Sequence, residues 1–392
     1  MMIETFENTR LAFKDRSDRE LRKAYWLFRL VGNPFLVKVG AIKLRIALWL
    51  RLPVNWILKP TIFSHFCGGE QISECRATIE KLAASGIQTI LDYSAEGRET
   101  DAEFDRTAHE VMETIKKAAS DKNIPYAVFK PTGMARFGLL EKLQSGEVLT
   151  EAEQGELERV HERIGSICRL AEETGVPVMV DAEESWVQDA VDRLVENLTL
   201  QYNKGRPLIF NTLQMYRHDR LDYLKQFFSR SRENGAVPAF KLVRGAYMEK
   251  ERERAVAMGY PSPIYPDKPS TDEAFDKATR FCLDHVDQMA VCIGTHNEKS
   301  CALAAETMDG LGIPRAHSRV SFAQLLGMSD HLSYPLAAAG FNVCKYVPYG
   351  PVRTVIPYLI RRAEENTSVA GQTSRELYLI RKEIQRRKTA LT

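Results

Sequence analysis

The chain has no uninterrupted stretch of about 20 apolar residues, the length a membrane-spanning helix needs. It has no CxxC pair: its seven cysteines, at 67, 75, 168, 282, 292, 301 and 344, are scattered and odd in number. Neither a zinc site nor a disulfide framework is expected, and the thiols read as reduced. No GxGxxG and no Walker-type phosphate loop occurs. Net charge is nearly absent, +2 from 54 basic and 52 acidic residues, so no global field draws the molecule to nucleic acid. What is present excludes disordered and collagen-like chains: 44% of the 392 residues are hydrophobic and 27% charged, close to the globular average. The length fits two or three domains of ~150 residues, or one α/β barrel with attachments.

One absence is local. Residues 21–60 contain eight basic residues and no acidic one. Residues 1–60 hold twelve basic and five acidic residues, a balance of +7, which leaves −5 for the remainder. The runs IALWL (46–50) and PVNWIL (53–58) fall in the same stretch. A basic amphipathic arm touching an anionic membrane surface is one expectation. The plainer one is a helix pair packed on the main domain with snorkelling Lys and Arg. A secretory signal is not expected, since the apolar part starts late and lacks a small-residue cleavage site. Glu4, Glu7, Asp15 and Asp18 disfavour a mitochondrial transit peptide. The expected location is the bacterial cytoplasm, peripheral to the inner membrane face.

From residue 86 onward, β-rich runs alternate with longer helical patterns eight times. The expected strands are 88–94, 126–133, 177–183, 207–214, 239–245, 290–296, 319–324 and 342–348. Their apolar runs are continuous, as in parallel strands buried on both faces. Helical periodicity marks 101–121, 150–174, 184–203, 216–234, 271–287, 297–311 and 329–339, and residues 136–156 add a helical excursion. Asp181 to Ser185 carries helix-capping chemistry before WVQDAVDRLVENL. Eight such units predict a (β/α)8 barrel in preference to a doubly wound sheet. The division expected is an N-terminal helical arm (1–85), the barrel (86–371) and a C-terminal helix (372–392).

Barrel active sites lie at the C-terminal strand ends. Here those ends carry Asp92, Lys130, Asp181, Gln214, Lys241 with Arg244, Thr295-His296-Asn297, Gln324 and Tyr346. Any one of them is explained equally well by a structural salt bridge, but polar groups on nearly every strand end point to a site. In KLVRGAY (241–247) two cations precede Gly245-Ala246, which suits a phosphate or a flavin ring; a strand end capped by ion pairs is the alternative. GTHNE (294–298) exposes polar groups beside a helix N-terminus, fit for a phosphate or ribose. In PYLIRRAEENTS (357–368), adjacent Arg361 and Arg362 can chelate one carboxylate through forked hydrogen bonds. Read alone, they are as well explained as solvated surface arginines. No residue set calls for a metal.

At these residues the sequence resembles the proline dehydrogenase family. The resemblance lies in FKPTG (129–133), DAEE (181–184), QMY (214–216), KLVRGAY (241–247), THN (295–297), QLLGM (324–328), KYVPYG (345–350) and YLIRRAEEN (358–366), in order over roughly 86–370. The N-terminal stretch is similar to the helical lead-in of single-function members, the form expected here. Many bacterial members have the two cations of KLVRGAY exchanged; the order in this chain resembles the eukaryotic-type branch. The resemblance implies a distorted barrel with FAD across its mouth and the eighth helix placed over the site. It implies that Arg361 and Arg362 hold the proline carboxylate, with Lys130 adding charge. It places Tyr346 and Leu325 against the ring, Tyr358 beside the clamp, and Glu365 in an ion pair that positions Arg361 or its neighbours. Asp181, Lys241 and Arg244 belong near flavin and substrate, and Ala182, Gln214, Arg244, Gly245, Ala246, Thr295, His296 and Asn297 to FAD. Electrons are expected to pass to a quinone. A smaller residue at 346 marks relatives that prefer hydroxyproline.

Two rival classes share the barrel. A Schiff-base lyase or aldolase would use Lys130 or Lys241 as nucleophile and be colourless, whereas a flavoprotein is yellow. A non-catalytic metabolite sensor would have no need of the Arg pair, Lys130 and Asp181 together.

Overall fold

The computed structural model describes residues 5–50, 52–94, 99–368 and 372–390, without the side chains of 34, 41, 45, 47, 48, 364–368 and 372–373. The described residues before the barrel are mostly helical. After a single turn at Thr9–Ala12, α1 (Asp18–Val31) starts at a capping box. Ser17 Oγ accepts from Glu20 N at 3.2 Å, and Glu20 Oε2 accepts from Ser17 N at 2.7 Å. Asn33 then receives the amides of Phe35 and Leu36 and starts α2 (Pro34–Trp49), whose Pro gives up no hydrogen bond at a first turn. Helix α3 (Arg76–Ala83) leads into the barrel.

Eight parallel strands in chain order close the barrel: β1 (Ile87–Tyr93), β2 (Tyr126–Phe129), β3 (Val178–Val180), β4 (Ile209–Gln214), β5 (Ala239–Val243), β6 (Ala290–Gly294), β7 (Val320–Leu325) and β8 (Val343–Tyr349). The closing seam runs from Ile87 opposite Val343 to Tyr93 opposite Tyr349. The connections are α4 (Asp101–Ala119), α5 (Phe137–Ser145), α6 (Glu151–Thr174), α7 (Ser185–Tyr202), α8 (Arg220–Glu233), α9 (Met248–Met258), α10 (Lys268–Asp284), α11 (Glu298–Gly310) and α12 (Asp330–Ala338). Two more helices, α13 (Val352–Ser368) and α14 (Gln372–Thr389), follow β8.

Every expected strand is present, with differences at the ends. β2 stops at Phe129 because Pro131 has no N–H for a ladder and opens a 3₁₀ turn, Pro131–Gly133. β8 continues to Tyr349, so Tyr346 is mid-strand and not at the end. Helix α9 was not expected, since MEKERERAVAM has little apolar periodicity. Its buried Glu251 explains it: the carboxylate accepts from Ser185 N at 2.7 Å and Ser185 Oγ at 2.6 Å. This corrects the cap expected at Asp181–Ser185. The start of α7 is capped from another helix, while Asp181 turns to the barrel axis.

Three cores follow. Ile90, Val128, Met179, Phe210, Cys292 and Cys344 fill the barrel interior. A larger layer packs strands against helices. In the third, Leu21, Ala24, Phe28, Phe63 and Phe66 of the N-terminal region pack with Val355, Tyr358 and Leu359 of α13 and Leu379 and Ile380 of α14. Helix α13 thus lies against α1 and α2 instead of flanking β8, the displaced position expected of the eighth helix. An ion chain ties this region to the barrel: fully buried Lys345 on β8 lies 2.9 Å from Asp330, which lies 2.8 Å from Arg16. All seven cysteines are buried and free.

Candidate active site

The two-residue period of a strand decides which side chains meet on the axis. Ile90, Val128, Met179, Ala239 and Cys344 fill the interior. Two residues further along each chain stand Asp92, Lys130, Asp181, Lys241 and Tyr346. The apolar layer therefore carries a charged layer directly above it.

Asp181 is the hub of that layer. Lys241 Nζ donates to its Oδ1, Tyr346 OH donates to Oδ2 at 2.8 Å, and Lys130 Nζ lies 3.2 Å from Oδ2. Lys130 also donates to both oxygens of Asp92, at 3.2 and 3.1 Å, and Asp92 takes the Ser94 hydroxyl. Both ammonium groups lie over the Tyr346 ring, 5.9 and 5.3 Å from its centroid. Burial pushes the Asp181 carboxyl up, but Lys241 and Lys130 outweigh burial and hold it below the usual carboxylate range. Burial and the Asp181 charge push the Tyr346 phenol far up, so it remains a neutral donor.

A cavity of about 610 Å³ opens above this layer. Leu325 of β7 walls it, and α13 supplies Tyr358, Arg361 and Arg362 from the far side. The Arg362 guanidinium lies 5.4 Å from the Tyr358 ring centroid. Two guanidinium groups therefore face two lysines and a carboxylate across one space. Every candidate residue named from the sequence lines this cavity except Glu365, whose side chain lies outside the described residues.

The cavity extends sideways over β4 to β6 and changes character there. Gln214 is committed on both sides, donating to Glu183 O at 2.6 Å and accepting from Ala246 N at 2.9 Å, so it sets the position of the Gly245-Ala246 turn. Gly245 has φ +145, and a Cβ there would meet the Tyr216 ring at 2.5 Å. The glycine is thus required by the chain's own packing, not only by the approach of a ligand. Arg244 turns away from Lys241: its guanidinium donates to Asp272 at 2.7 Å, to Ser300 at 2.8 Å and to Thr295. Asn297 caps α11 through the amides of Lys299 and Ser300, leaving that helix N-terminus, Arg244, Lys268 and Lys299 around one arm of the cavity. His296 shares a hydrogen bond with Ser329 at 2.8 Å. Burial, with Lys345 and Arg362 nearby, holds it well below the ordinary imidazole range. Ser329, the one described non-glycine residue with positive φ, gives its amide to Glu376 of α14. The amides at the α11 N-terminus, with Arg244, Lys268 and Lys299, make this arm fit for an anionic group such as a phosphate.

Several residues of the site were not assigned from the sequence. Asp92, read there only as a polar strand end, holds Lys130. His331, Glu298 and Arg375 close the rim: His331 Nε2 lies 3.0 Å from Glu298, and Arg375 Nε lies 2.7 Å from Glu298. Glu183, two positions past Asp181, is buried; it accepts from Thr132 N and Oγ1 at 3.1 and 2.6 Å and from Tyr247 OH at 3.1 Å. Burial first, then the neighbouring Glu184 charge, pushes its carboxyl up to about 7 against the donors around it. Glu183 lies three residues past the end of β3, where the two-residue period of the strand no longer points to it.

A family model described as proline dehydrogenase matches residues 75–375. A mitochondrial proline dehydrogenase 1 of Dictyostelium discoideum is 34% identical over 384 residues, covering 87% of this chain and 67% of its own. A hydroxyproline dehydrogenase of Xenopus laevis is 31% identical over 412 residues, covering 96% of this chain and 88% of its own. The crystal structure of proline utilization A from Bdellovibrio bacteriovorus, inactivated by N-propargylglycine, superposes with a TM-score of 0.71 at 20% identity. It covers 79% of this chain, which spans about a third of that longer protein (33%), and the likeness bears on the fold.

The raised Glu183 carboxyl has a consequence for stability. The folded protein keeps this proton up to pH about 7 while the unfolded chain loses it near 4.5. Stability therefore falls as pH rises through that window, the reverse of the depressed Asp181, whose contribution is lost only in acid. Glu183→Gln should remove a decline of at most about 3 kcal/mol between pH 4.5 and 7. Thermal midpoints of both proteins across this range measure it; parallel pH profiles would show that Glu183 stays ionised.

Proposed function

The chain belongs to the proline dehydrogenase family, and from that premise we propose that it oxidises L-proline at C5 to Δ1-pyrroline-5-carboxylate, with FAD as cofactor. The observation that carries the reading is the pair Arg361 and Arg362 facing the Lys130–Asp181–Lys241 layer across one cavity. Bound FAD supplies a ring that accepts two electrons as hydride. Arg361 and Arg362 bind the substrate carboxylate through charge-assisted hydrogen bonds, and Lys130 adds positive charge from the barrel side. Tyr346 and Leu325 wall the pyrrolidine ring, and Tyr358 packs beside the clamp. Fixing the carboxylate at one end orients C5 at the other, which is a contribution of proximity and alignment. The ring nitrogen is neutral when C5–H breaks, since its lone pair forms the C=N bond, and solvent serves as the proton acceptor. Asp181 holds both lysines, and Lys241 would supply positive potential to the bound cofactor.

Ala182, Gln214, Arg244, Gly245, Ala246, Thr295, His296 and Asn297 bind the cofactor along the lateral arm of the cavity. Electrons leave to a membrane quinone, which the enzyme reaches from the cytoplasmic face through its basic N-terminal arm. Both lysines being ion-paired to carboxylates disfavours the lyase reading, because a Schiff-base lysine needs a neutral amine.

The purified protein should be yellow and bleach on addition of L-proline. Arg361→Ala or Arg362→Ala each remove a charge-assisted contact worth ~1.5–3 kcal/mol. kcat/KM for proline should fall by roughly ten- to a hundredfold or more while the flavin spectrum persists. Wild-type kinetics in both variants would contradict the clamp.

Tyr346 also governs substrate choice. Its hydroxyl is committed to Asp181 and lies 3.5 Å from Lys130, so the ring presents bulk to a 4-hydroxyl without a partner for it. The wild type should prefer L-proline over trans-4-hydroxy-L-proline by ~1–3 kcal/mol. Tyr346→Ser should narrow that gap and weaken proline binding. Comparing kcat/KM for both substrates decides it; an unmoved ratio would remove Tyr346 as the selector.

A further inference from the structure

We propose that Glu183 is a positioning residue for substrate binding. Its buried carboxyl joins the turn after Lys130 to the loop after Gly245-Ala246. It thereby fixes the cation for the substrate carboxylate relative to the cofactor-binding turn. The inference rests on the function proposed above, which gives those two places their roles. The arginine clamp, the Asp181 layer and the cofactor arm leave Glu183 unused, although it stands only two residues after Asp181. Burying a carboxyl group is costly unless hydrogen bonds compensate, so the bonds it makes show what it is there to hold.

Its two carboxyl oxygens go to different loops. Oε1 accepts from Thr132 N at 3.1 Å and from Thr132 Oγ1 at 2.6 Å, and Oε2 accepts from Tyr247 OH at 3.1 Å. Thr132 stands two residues after Lys130, inside the 3₁₀ turn that ends β2. Tyr247 directly follows Gly245-Ala246. The main chain of Glu183 completes the link. Its carbonyl accepts from Gln214 Nε2 at 2.6 Å, and Gln214 Oε1 accepts from Ala246 N at 2.9 Å. Its amide donates to Gln188 Oε1 of α7 at 2.7 Å. One residue thus ties together the ends of β2, β3, β4 and β5, four consecutive strands of the barrel.

Packing does not supply this constraint. A second cavity, of about 1090 Å³, lies beside the first between the β2 turn, α5 and α9, and Thr132, Gly133 and Glu183 line it. Lys130, Tyr247 and Arg361 line both cavities. Lys130 and Tyr247 therefore border open space on two sides, and hydrogen bonds set their place. Lys130 is held through its ammonium by Asp181 and Asp92, and through its main chain by Thr132 and Glu183. Cutting the second hold lets the strand end shift while the ammonium stays paired. A misplacement of about 1 Å at a site of this kind can cost on the order of a hundredfold.

Steady-state kinetics of the flavin-loaded full chain with L-proline test this. Glu183→Ala should raise KM by about tenfold or more and change kcat by less than about threefold, because the group that moves binds the carboxylate. Glu183→Gln can still accept from Thr132 and donate to Tyr247, so its KM should stay within about threefold of wild type. In a Lys130→Met background, Glu183→Ala should change KM by less than about threefold, since the two residues act through one contact. Free-flavin fluorescence after dilution of the holoenzyme reads the cofactor end, and Glu183→Ala should release about threefold more flavin or above. A wild-type KM in Glu183→Ala, a loss confined to kcat, additive losses in the Lys130→Met background or unchanged flavin release would each overturn the proposal. Should Glu183→Ala not fold, Thr132→Val decides alone: a KM raised about threefold or more supports the joint, and a wild-type KM overturns it. A wild type that does not oxidise proline would remove the function proposed above and this inference with it. Proline oxidation without the expected KM pattern would remove the inference alone.

Discussion

The site depends on one buried carboxylate. Asp181 takes Lys241, Lys130 and Tyr346 at once, and without it two ammonium groups would face each other on the floor of the cavity. Buried pairs of this kind add little net stability, but removing one partner leaves an uncompensated charge at a cost of about 3–5 kcal/mol. What the arrangement provides is position. Two lysines from different strands and a phenol from a third are held at fixed places beneath the cavity, and Asp92 restrains Lys130 from the side. The cavity floor is therefore a rigid, charge-balanced surface against which the arginines of α13 can present an anion.

The roof is built differently. α13 is anchored through apolar packing on α1 and α2, not through the barrel ladder. Floor and roof thus belong to different cores, and the ion chain Lys345–Asp330–Arg16 fixes them relative to each other from beneath. Glu376 of α14 contributes from the same side by holding Ser329, and through it His296. Residues far apart in the chain meet here because the helices before and after the barrel pack together over its mouth.

Much of this was legible in the sequence. Continuous apolar runs gave the eight strands, and polar groups at their ends gave the site, since both follow from local pattern. The ends of β2 and β3 were placed too far along, at 133 and 183 against Phe129 and Val180, in β2 because a proline without an N–H cannot continue the ladder, while β8 runs one residue further than expected, to Tyr349. Helix α9 was missed because what holds it is Glu251 bonding Ser185 some sixty-six positions earlier, which no window of sequence contains. For the same reason Arg244 and Lys241 could not be told apart by sequence. They are three residues apart, yet one turns to Asp181 and the other to Asp272, Thr295 and Ser300. The role of Asp92 likewise required knowing that β1 and β2 are neighbours.

The account stands or falls on Asp181. Stopped-flow reduction of the bound flavin by L-proline, in the wild type and in Asp181→Ala, tests it directly when paired with a melting curve and the flavin content. If Asp181 fixes the two lysines for the reaction, the variant should keep its fold and flavin and reduce it at least roughly tenfold more slowly, the effect of losing ~1.4 kcal/mol from the barrier. An unchanged reduction rate in a folded, flavin-loaded variant would make the Asp181 cluster a structural feature of the barrel and contradict the account.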